Sequence, residues 1–306
     1  MSTTDSAITS VGVLGTGAMG SRFARRLSEV GYQVHAWNRT ADRVEALRPF
    51  GVTPQPTPRA VAENCDVVVG MVWDSAALRA IALGEDGFVR GLAPGKVIAD
   101  ASTVEPEVSA EIAAAVRETG AEMLDTPVSG SLDAAESGRV MIMAGGRAEA
   151  FERARPVLDA LGRSVRHVGE TNGSALVLKL AINMQVAIQE VAWGEALALA
   201  EQFGIEREQA SAVMLDSVIA SPMLHYRAPF ALTPPEEVWA SANQLLKDVT
   251  YAVSRSAGRS VAGRYAQDLL EKISAGGRGD REAAELMVAA AAGELAGEPN
   301  EGETTR

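Results

Sequence analysis

The sequence predicts an α/β chain, with an N-terminal Rossmann-type doubly wound sheet joined by one long helix to an all-α C-terminal domain. Three observations predict it. Residues 8–20 run from an apolar, β-branched stretch directly into the turn Gly15-Thr16-Gly17-Ala18-Met19-Gly20. From there to about residue 171, strand-like and helix-like segments alternate, as in a sheet wound with helices on both faces. Beyond Gly173 no strand pattern recurs, and the chain is alanine-rich and helical in pattern.

The elements follow in order. Residues 8–14 are short, β-branched and apolar, as a buried parallel strand requires. Over 21–30, Phe23, Ala24, Leu27 and Val30 recur at helical spacing, and Gly31 stops the helix. Residues 32–37 read as the second strand, 41–48 as a short helix and 52–54 as a short third strand. The next strand is 66–72, followed by a helix from about Ser75. Strands at 96–101 and 122–128 are separated by a helical 105–118. Two more, at 139–144 and 165–168, flank a helix over 148–161 and extend the far edge of the sheet. Residues 174–203 form a single apolar helix, too long for an ordinary crossover. Helical patterns continue through 207–218, 238–256, 261–274 and 281–295. The expected domains are therefore a dinucleotide-binding unit at 8–171 and a helical unit at 172–296, with 297–306 a polar, disordered tail. An apolar helix of this length needs cover on several sides, which predicts a homodimer formed through the helical domain.

Bulk composition narrows the function classes. A chain of 306 residues with 47% hydrophobic content buries a large core and splits naturally into two domains. The net charge of -12, without any run of Lys or Arg, argues against nucleic acid as a partner and serves solubility. The single cysteine, Cys65, precedes the apolar run 67–69 and reads as core. One thiol forms no internal disulfide, so a reducing cytoplasm is expected. Residues 1–7 are polar and lack the apolar centre of a signal peptide. No uninterrupted apolar run approaches the roughly 18 residues of a membrane helix. His35, His167 and His225 are scattered, without metal-ligand spacing, so no metal is expected.

The glycine turn carries the first functional statement. Gly15 allows a tight turn, Gly17 lets a pyrophosphate approach the backbone, and Gly20 lets the helix pack on the strand. Free N–H groups at the helix start hold the anion, which makes Gly15, Thr16, Gly17, Ala18, Met19 and Gly20 the cofactor cradle. An NAD site places Asp or Glu at the end of the second strand to accept from the ribose 2′-OH. This chain has Asn38-Arg39-Thr40 there, with Arg43 following. A carboxylate repels a 2′-phosphate, whereas Arg39 binds one and Asn38 and Thr40 donate to it. NADP is the expected cofactor; the competing reading of Arg39 is a solvated loop arginine.

A nicotinamide site also needs a proton donor or acceptor and groups that fix the substrate. Lys179 and Asn183 lie one helical turn apart, and Leu176, Val177, Leu178, Leu180, Ala181 and Ile182 around them are apolar. Poor solvation lowers a lysine pKa toward the range of acid–base work. The alternative is a lysine that snorkels at the helix edge, and the residues alone leave both readings open. Ser129, Gly130 and Ser131 follow a strand, at the carboxyl edge where open α/β sheets bind ligands. Their hydroxyls and N–H groups suit a carboxylate; a plain turn is the competing reading. Ser102-Thr103 occupies an equivalent place beside the expected nicotinamide. Lys247-Asp248 lies inside a later helix, where a salt-bridged surface pair is the ordinary expectation.

These pieces together resemble the β-hydroxyacid dehydrogenases, which include 3-hydroxyisobutyrate dehydrogenase and the glyoxylate/succinic semialdehyde reductases. The resemblance runs from about residue 10 to residue 290. It rests on Gly15-x-Gly17-x-Met19-Gly20, Ser102-Thr103-Val104, Asp125-Thr-Pro-Val-Ser129-Gly130-Ser131, Gly173 with Lys179 and Asn183, and Lys247-Asp248. It implies that Lys179 is the general acid/base and that Asn183 orients substrate and lysine. It further implies that Ser129 and Gly130 hold a substrate carboxylate, with Ser131 beside them, and that Lys247 approaches cofactor and substrate. Met71, Val72 and Thr103 complete the implied cofactor set. The implied function is NADP-dependent interconversion of a small carboxylate-bearing aldehyde or ketone with its hydroxy acid.

The chain also departs from the family pattern. Where the family shows Met-Leu-Pro after the fourth strand, Met71 is followed by Val72-Trp73-Asp74, and Arg139 stands where a Gly-Thr-Leu ending is usual. Trp73 and Arg139 are thus candidates to alter the pocket mouth. In the segment 221–227, His225 and Tyr226 are candidate substrate contacts, with packing the competing role. Two other functions compete. Imine reductases resemble this plan and often carry a motif like Trp37-Asn38-Arg39-Thr40, but they usually lack the lysine. Non-catalytic NADP-binding scaffolds characteristically lose it as well, and this chain keeps Lys179.

Overall fold

A computed structural model describes residues 8–294. The polar N-terminus at 1–7 and the expected disordered tail at 297–306 lie outside the described residues. The chain forms two compact units that divide within the long helix, between Lys179 and Leu180.

In the first unit, six strands lie parallel: β1 (Ser10–Leu14), β2 (Gln33–Trp37), β3 (Val52–Pro54), β4 (Val67–Gly70), β5 (Val97–Asp100) and β6 (Glu122–Asp125). Their order is β3-β2-β1-β4-β5-β6, so the winding reverses at β1. Parallel neighbours require crossovers. These are made by α1 (Ala18–Glu29), α2 (Asp42–Glu45), α3 (Pro58–Asn64), α4 (Ser75–Leu83) and α5 (Pro106–Glu118). Beyond β6 come β7 (Val128–Ser129), α6 (Leu132–Glu136), β8 (Val140–Gly145), α7 (Ala148–Leu161) and β9 (Gly162–Gly169). β8 runs antiparallel to β6 and β7 and parallel to β9. This is the expected doubly wound sheet with added strands on its far edge.

Both faces of the sheet are covered, which explains the continuous apolar strands. Alternation sends Val67 and Val69 to one core, with Val11, Val13, Phe23 and Leu27. Val68 goes to the other, with Val61, Ile98 and Ile112. Cys65 belongs to that second core, and burial pushes its thiol up to about 12.

Several boundaries differ from the sequence reading, each for a physical reason. The helix α1 begins at Ala18, not Ser21, because Gly17 itself is the N-cap. An additional helix, α3, is capped by Thr57, which accepts from Ala60 N at 3.0 Å, with Pro58 in the first turn. The strand expected over 122–128 is broken, since Pro127 has no N–H to give a ladder. A short α6 then starts at the Ser131 cap.

The second unit is helical. It contains most of α8 (Ser174–Gln202), then α9 (Arg207–Leu215), α10 (Pro222–Leu232), α11 (Ala242–Ser254), α12 (Val261–Ile273) and α13 (Glu285–Ala291). Among the described residues its one β feature is an isolated bridge between Ser241 and Glu282. Its core gathers Ala187, Val191, Leu245, Val249, Leu269, Leu270 and Leu286. Gly194 is required by close packing, because a Cβ there would lie 2.2 Å from the Met287 carbonyl oxygen. The helix α10 lies outside the expected helical segments, and Ser221 followed by Pro222 is its cap and first-turn pair. The helix expected from 238 starts at Ala242, because Trp239 and Ala240 donate their N–H groups to Glu282 instead.

By length and composition α8 is apolar enough to cross a membrane, with a window of mean hydropathy 1.3. The count of uninterrupted apolar residues did not register this, because Lys179, Asn183, Glu190 and Glu195 punctuate the helix. Glu190 is wholly buried and accepts from Arg227 Nη1 at 2.9 Å.

Candidate functional site

The glycine turn joins β1 to α1. Gly15 takes φ +94°, where a Cβ would sit 2.2 Å from the Met71 carbonyl oxygen, and a Cβ on Gly20 would sit 1.9 Å from the Gly15 oxygen. Gly17 is the opposite case, with open space within 4 Å of its Cβ position. Two glycines thus let backbone pack on backbone, and the third leaves room for a group from outside. No side chain caps α1, so its first N–H groups point at that room with the positive end of the helix dipole. Thr16 is buried, and its hydroxyl has no hydrogen-bond partner among the described residues. These features fit a pyrophosphate.

The end of β2 is tied to the same turn. Gly15 N donates to the Trp37 carbonyl at 2.8 Å, and Thr16 N donates to Asn38 Oδ1 at 3.1 Å. Asn38 Nδ2 in turn donates to the Thr40 carbonyl at 3.1 Å. Asn38 is therefore a structural brace, and the bond to Thr40 uses one of the two N–H groups of its amide. Arg39 and Thr40 are exposed. A cavity of about 390 Å³ opens here, lined by Trp37, Asn38, Arg39, Arg48, Gln55 and others. The carboxylate on its wall, Glu45, is ion-paired with Arg48. The cavity suits the ribose and adenine half of a dinucleotide, with Arg39 at its rim.

Along the carboxyl edge, Met71 N donates to the Leu14 carbonyl at 2.8 Å and Val72 N to Ser102 Oγ at 2.8 Å. Ser102 Oγ donates to Asp100 Oδ1 at 2.7 Å. Burial pushes the Asp100 carboxyl up to about 6. Its register partner on β6 is Asp125, also buried. Asp125 accepts from Gly173 N at 2.8 Å, Ala175 N at 2.9 Å and Leu176 N at 3.1 Å. It is the anchor of the long helix, and burial raises its pKa against the pull of those donors. Gly173 needs its φ of +98° to bring these amides round.

Ser129 is half-buried at the end of β7, opposite Met141. Gly130 is exposed with φ +156°, and Ser131 Oγ accepts from Ala134 N at 3.2 Å as the cap of α6. Trp73 is 52% exposed beside Met71 and Val72, and Arg139 is exposed after α6.

In the helical unit, Asn183 Nδ2 donates to Asp248 Oδ2 at 2.5 Å and Lys247 Nζ to Asp248 Oδ1 at 2.7 Å. Asp248 is 2% exposed, and the Lys247 side chain is 13% exposed over the Tyr251 ring. The expectation of a surface pair is corrected: an acid this deep needs its partners. The carboxylate takes one proton donor from each of two predicted site residues. Lys179 is half-buried on α8, one turn before Asn183. His225 and Tyr226 are exposed on α10, with Tyr226 against Trp239 at 6.0 Å between centroids. Among the described residues no group of three His, Cys, Asp or Glu side chains has metal-holding geometry.

The sequence assigns no role to Asp100, places Asp125 in a motif without a role, and gives Asp248 only that of a surface partner of Lys247. The available signal is an acid closing an otherwise apolar strand (Asp100), following two buried apolar strand residues (Asp125), or set among apolar helix positions (Asp248).

Residues 10–169 match the model of the NAD-binding domain of 6-phosphogluconate dehydrogenase, and residues 173–290 match that of NADP-dependent 3-hydroxyisobutyrate dehydrogenase. The chain is 32% identical over 220 residues to glyoxylate/succinic semialdehyde reductase 2 of Arabidopsis thaliana, covering 72% of this chain and 61% of that enzyme. It is 33% identical to 3-hydroxyisobutyrate dehydrogenase of Pseudomonas aeruginosa, covering 69% of this chain and 70% of the relative. Among solved structures, a 3-hydroxyisobutyrate dehydrogenase from Salmonella typhimurium superposes with TM-score 0.84 at 25% identity, over 92% of this chain and 99% of the other. An imine reductase from Myxococcus stipitatus in complex with NADP+ shares the fold at TM-score 0.63 and 22% identity, over 91% and 99%.

Proposed function

Since the chain belongs to the NAD(P)-dependent β-hydroxyacid dehydrogenases, we propose that it uses NADP(H) to interconvert a small carboxylate-bearing aldehyde or ketone with its hydroxy acid. The observation that carries this reading is Asn183 held by the buried Asp248, one helical turn from Lys179. The retained Lys179 favours this reading over a scaffold, since scaffold relatives characteristically lose the lysine.

Bound NADPH supplies the hydride. Lys179, as the ammonium, gives its proton to the carbonyl oxygen, and as the free amine it takes that proton back in the oxidative direction. Asn183, with its Nδ2 fixed on Asp248, offers its carbonyl oxygen to orient lysine and substrate. Ser129 and Gly130 bind the substrate carboxylate, with Ser131 supporting the loop as a helix cap. Lys247 keeps its charge balanced by Asp248 while it attracts the anionic substrate and cofactor. Arg39, without a neighbouring carboxylate at the end of β2, binds the 2′-phosphate. Gly15 to Gly20, with Met71, Val72 and Thr103, hold the rest of the cofactor.

Leu199, Phe203, Val213 and Val218 are exposed on the helical unit, and a second copy of the chain is the cover proposed for them. The single cysteine, buried in the sheet unit, fits a reducing cytoplasm, and with Glu190 ion-paired inside the helical unit, α8 is read as part of a soluble dimer. Light scattering on the purified protein tests this, and a monomer rejects it.

The decisive experiment is a panel of semialdehydes, 2-oxo acids and cyclic imines followed by NADPH absorbance. Turnover of a carboxylate-bearing carbonyl, lost by about three orders of magnitude in Lys179→Ala with NADPH binding intact, is the expected result. Turnover of imines alone assigns the chain to imine reduction. For the cofactor, Arg39→Ala weakens NADPH by about tenfold or more and NADH little; equal losses reject the NADP assignment.

A further inference from the structure

Asp100 is wholly buried at the end of β5, after Val97, Ile98 and Ala99. Its Oδ1 accepts from Ser102 Oγ at 2.7 Å and Ser102 N at 3.3 Å. Its Oδ2 has no hydrogen-bond partner among the described residues. Room for the carboxylate exists because β4 ends in Gly70, where a Cβ would lie 2.5 Å from Oδ1. The facing position on β6 holds a second buried acid, Asp125. An acid half-satisfied and set beside another acid destabilises the fold. A neutral side chain would cap the turn at less cost, so the charge has some other use.

That use follows from what the Ser102 hydroxyl does. Ser102 is itself wholly buried, so it reaches no substrate. Its single proton goes to Asp100, which leaves its oxygen free to accept from Val72 N at 2.8 Å. An ionised acceptor strengthens the first bond and, by polarising the hydroxyl, the second. The chain from Val72 N–H through Ser102 to Asp100 joins the loop after β4 to the loop after β5. One loop carries Met71 and Val72, the other Thr103, and both lie at the carboxyl edge where dinucleotides bind.

We propose that Asp100 and Ser102 act as one pair of positioning residues for the cofactor, setting the spacing of the two strand-end loops that receive its nicotinamide half. This rests on the reading of that edge as the NAD(P) site. Neither residue touches the reacting atoms; both act through Val72 and Thr103.

The test compares wild type with Ser102→Ala, Ser102→Thr, Asp100→Asn and the Ser102→Ala/Asp100→Asn double variant. NADPH affinity is measured by fluorescence titration, alongside KM, kcat and the melting temperature. Ser102→Ala raises the cofactor Kd and KM by about tenfold, the loss of one well-placed bond, with kcat within about twofold. Ser102→Thr keeps the hydroxyl and restores the affinity. Asp100→Asn keeps an acceptor without the charge and costs about threefold. The double variant is no worse than Ser102→Ala, because the two act in series. A lower melting temperature with unchanged NADPH affinity in Ser102→Ala makes the pair merely structural and overturns the proposal, as do strictly additive losses. If Asp100→Asn does not fold, the alanine and threonine variants at 102 still decide it. Wild-type protein that binds neither NADPH nor NADH overturns the cofactor reading and this proposal with it, whereas wild-type binding with unaffected variants overturns this proposal alone.

Discussion

The two units bury carboxylates by opposite means. In the sheet unit, Asp100 and Asp125 are held by neutral donors only, a serine hydroxyl and backbone N–H groups. In the helical unit, Asp248 lies against Lys247, and Glu190 and Glu282 share Arg227. Neutral donors fix position with little Coulombic return, so burial dominates and both sheet acids have raised pKa values. A cation returns more, yet for Glu190 burial still outweighs Arg227 and its pKa is raised as well. The sheet acids aim loops and a helix start. The helical acids hold helices together and, at Asp248, orient Asn183. The same residue type is a local positioning device in one unit and half of an ion pair in the other.

Substitutions separate these roles. The largest effect is expected for Arg227→Met, which leaves Glu190 and Glu282 buried without their cation. Losing one partner of a buried ion pair costs about 3–5 kcal/mol, readable as a shift in urea unfolding of the full chain. A loss below about 1 kcal/mol would break the comparison, because it would mean that the cation compensates nothing.

The next effect is on pH dependence. The folded pKa of Asp100, about 6, lies above its ordinary 3.8. The fold therefore favours the protonated acid: its contribution to stability is fully present below the unfolded pKa and is lost as pH rises through the folded one. Stability measured from about pH 4.5 to 8 should fall by about 2 kcal/mol more in wild type than in Asp100→Asn. Parallel curves would reject the raised pKa. Asp125→Asn, the smallest, keeps one acceptor oxygen for three N–H donors and leaves at least one unmet. A cost of about 1–2 kcal/mol is expected, with faster hydrogen exchange at the Ala175 and Leu176 amides. Unchanged exchange would show that the helix start does not depend on the carboxylate.

How much of this was legible in the sequence differs by element. The run from β1 through the glycine turn into α1 was legible because its constraints are local. A glycine is needed where φ is positive or backbones touch, and apolar periodicity marks the buried face. Ala148–Leu161 was read to the residue for the same reason. The helix α3 was passed over although Thr57-Pro58 signals its start, because seven residues give too short a periodic pattern. The break at Pro127 was legible in principle, since the missing N–H is written in the chain. The ion pair of Lys247 with Asp248 is legible but its burial is not, because neighbouring charges in a helix are usually solvated and burial is not written in a dipeptide.

The sequence by itself determined the fold class, the glycine cradle, the absence of an acid at the end of β2, and Lys179 and Asn183 one turn apart. These follow from chain spacing and backbone sterics, which act over a few residues. Only the tertiary structure decided that Asp100 and Asp125 stand side by side, that Ser102 bridges two loops, and that Asp248 gathers Asn183 and Lys247. Those pairings join residues 1 to 65 positions apart. Their cost and benefit come from burial, a property of the packed whole.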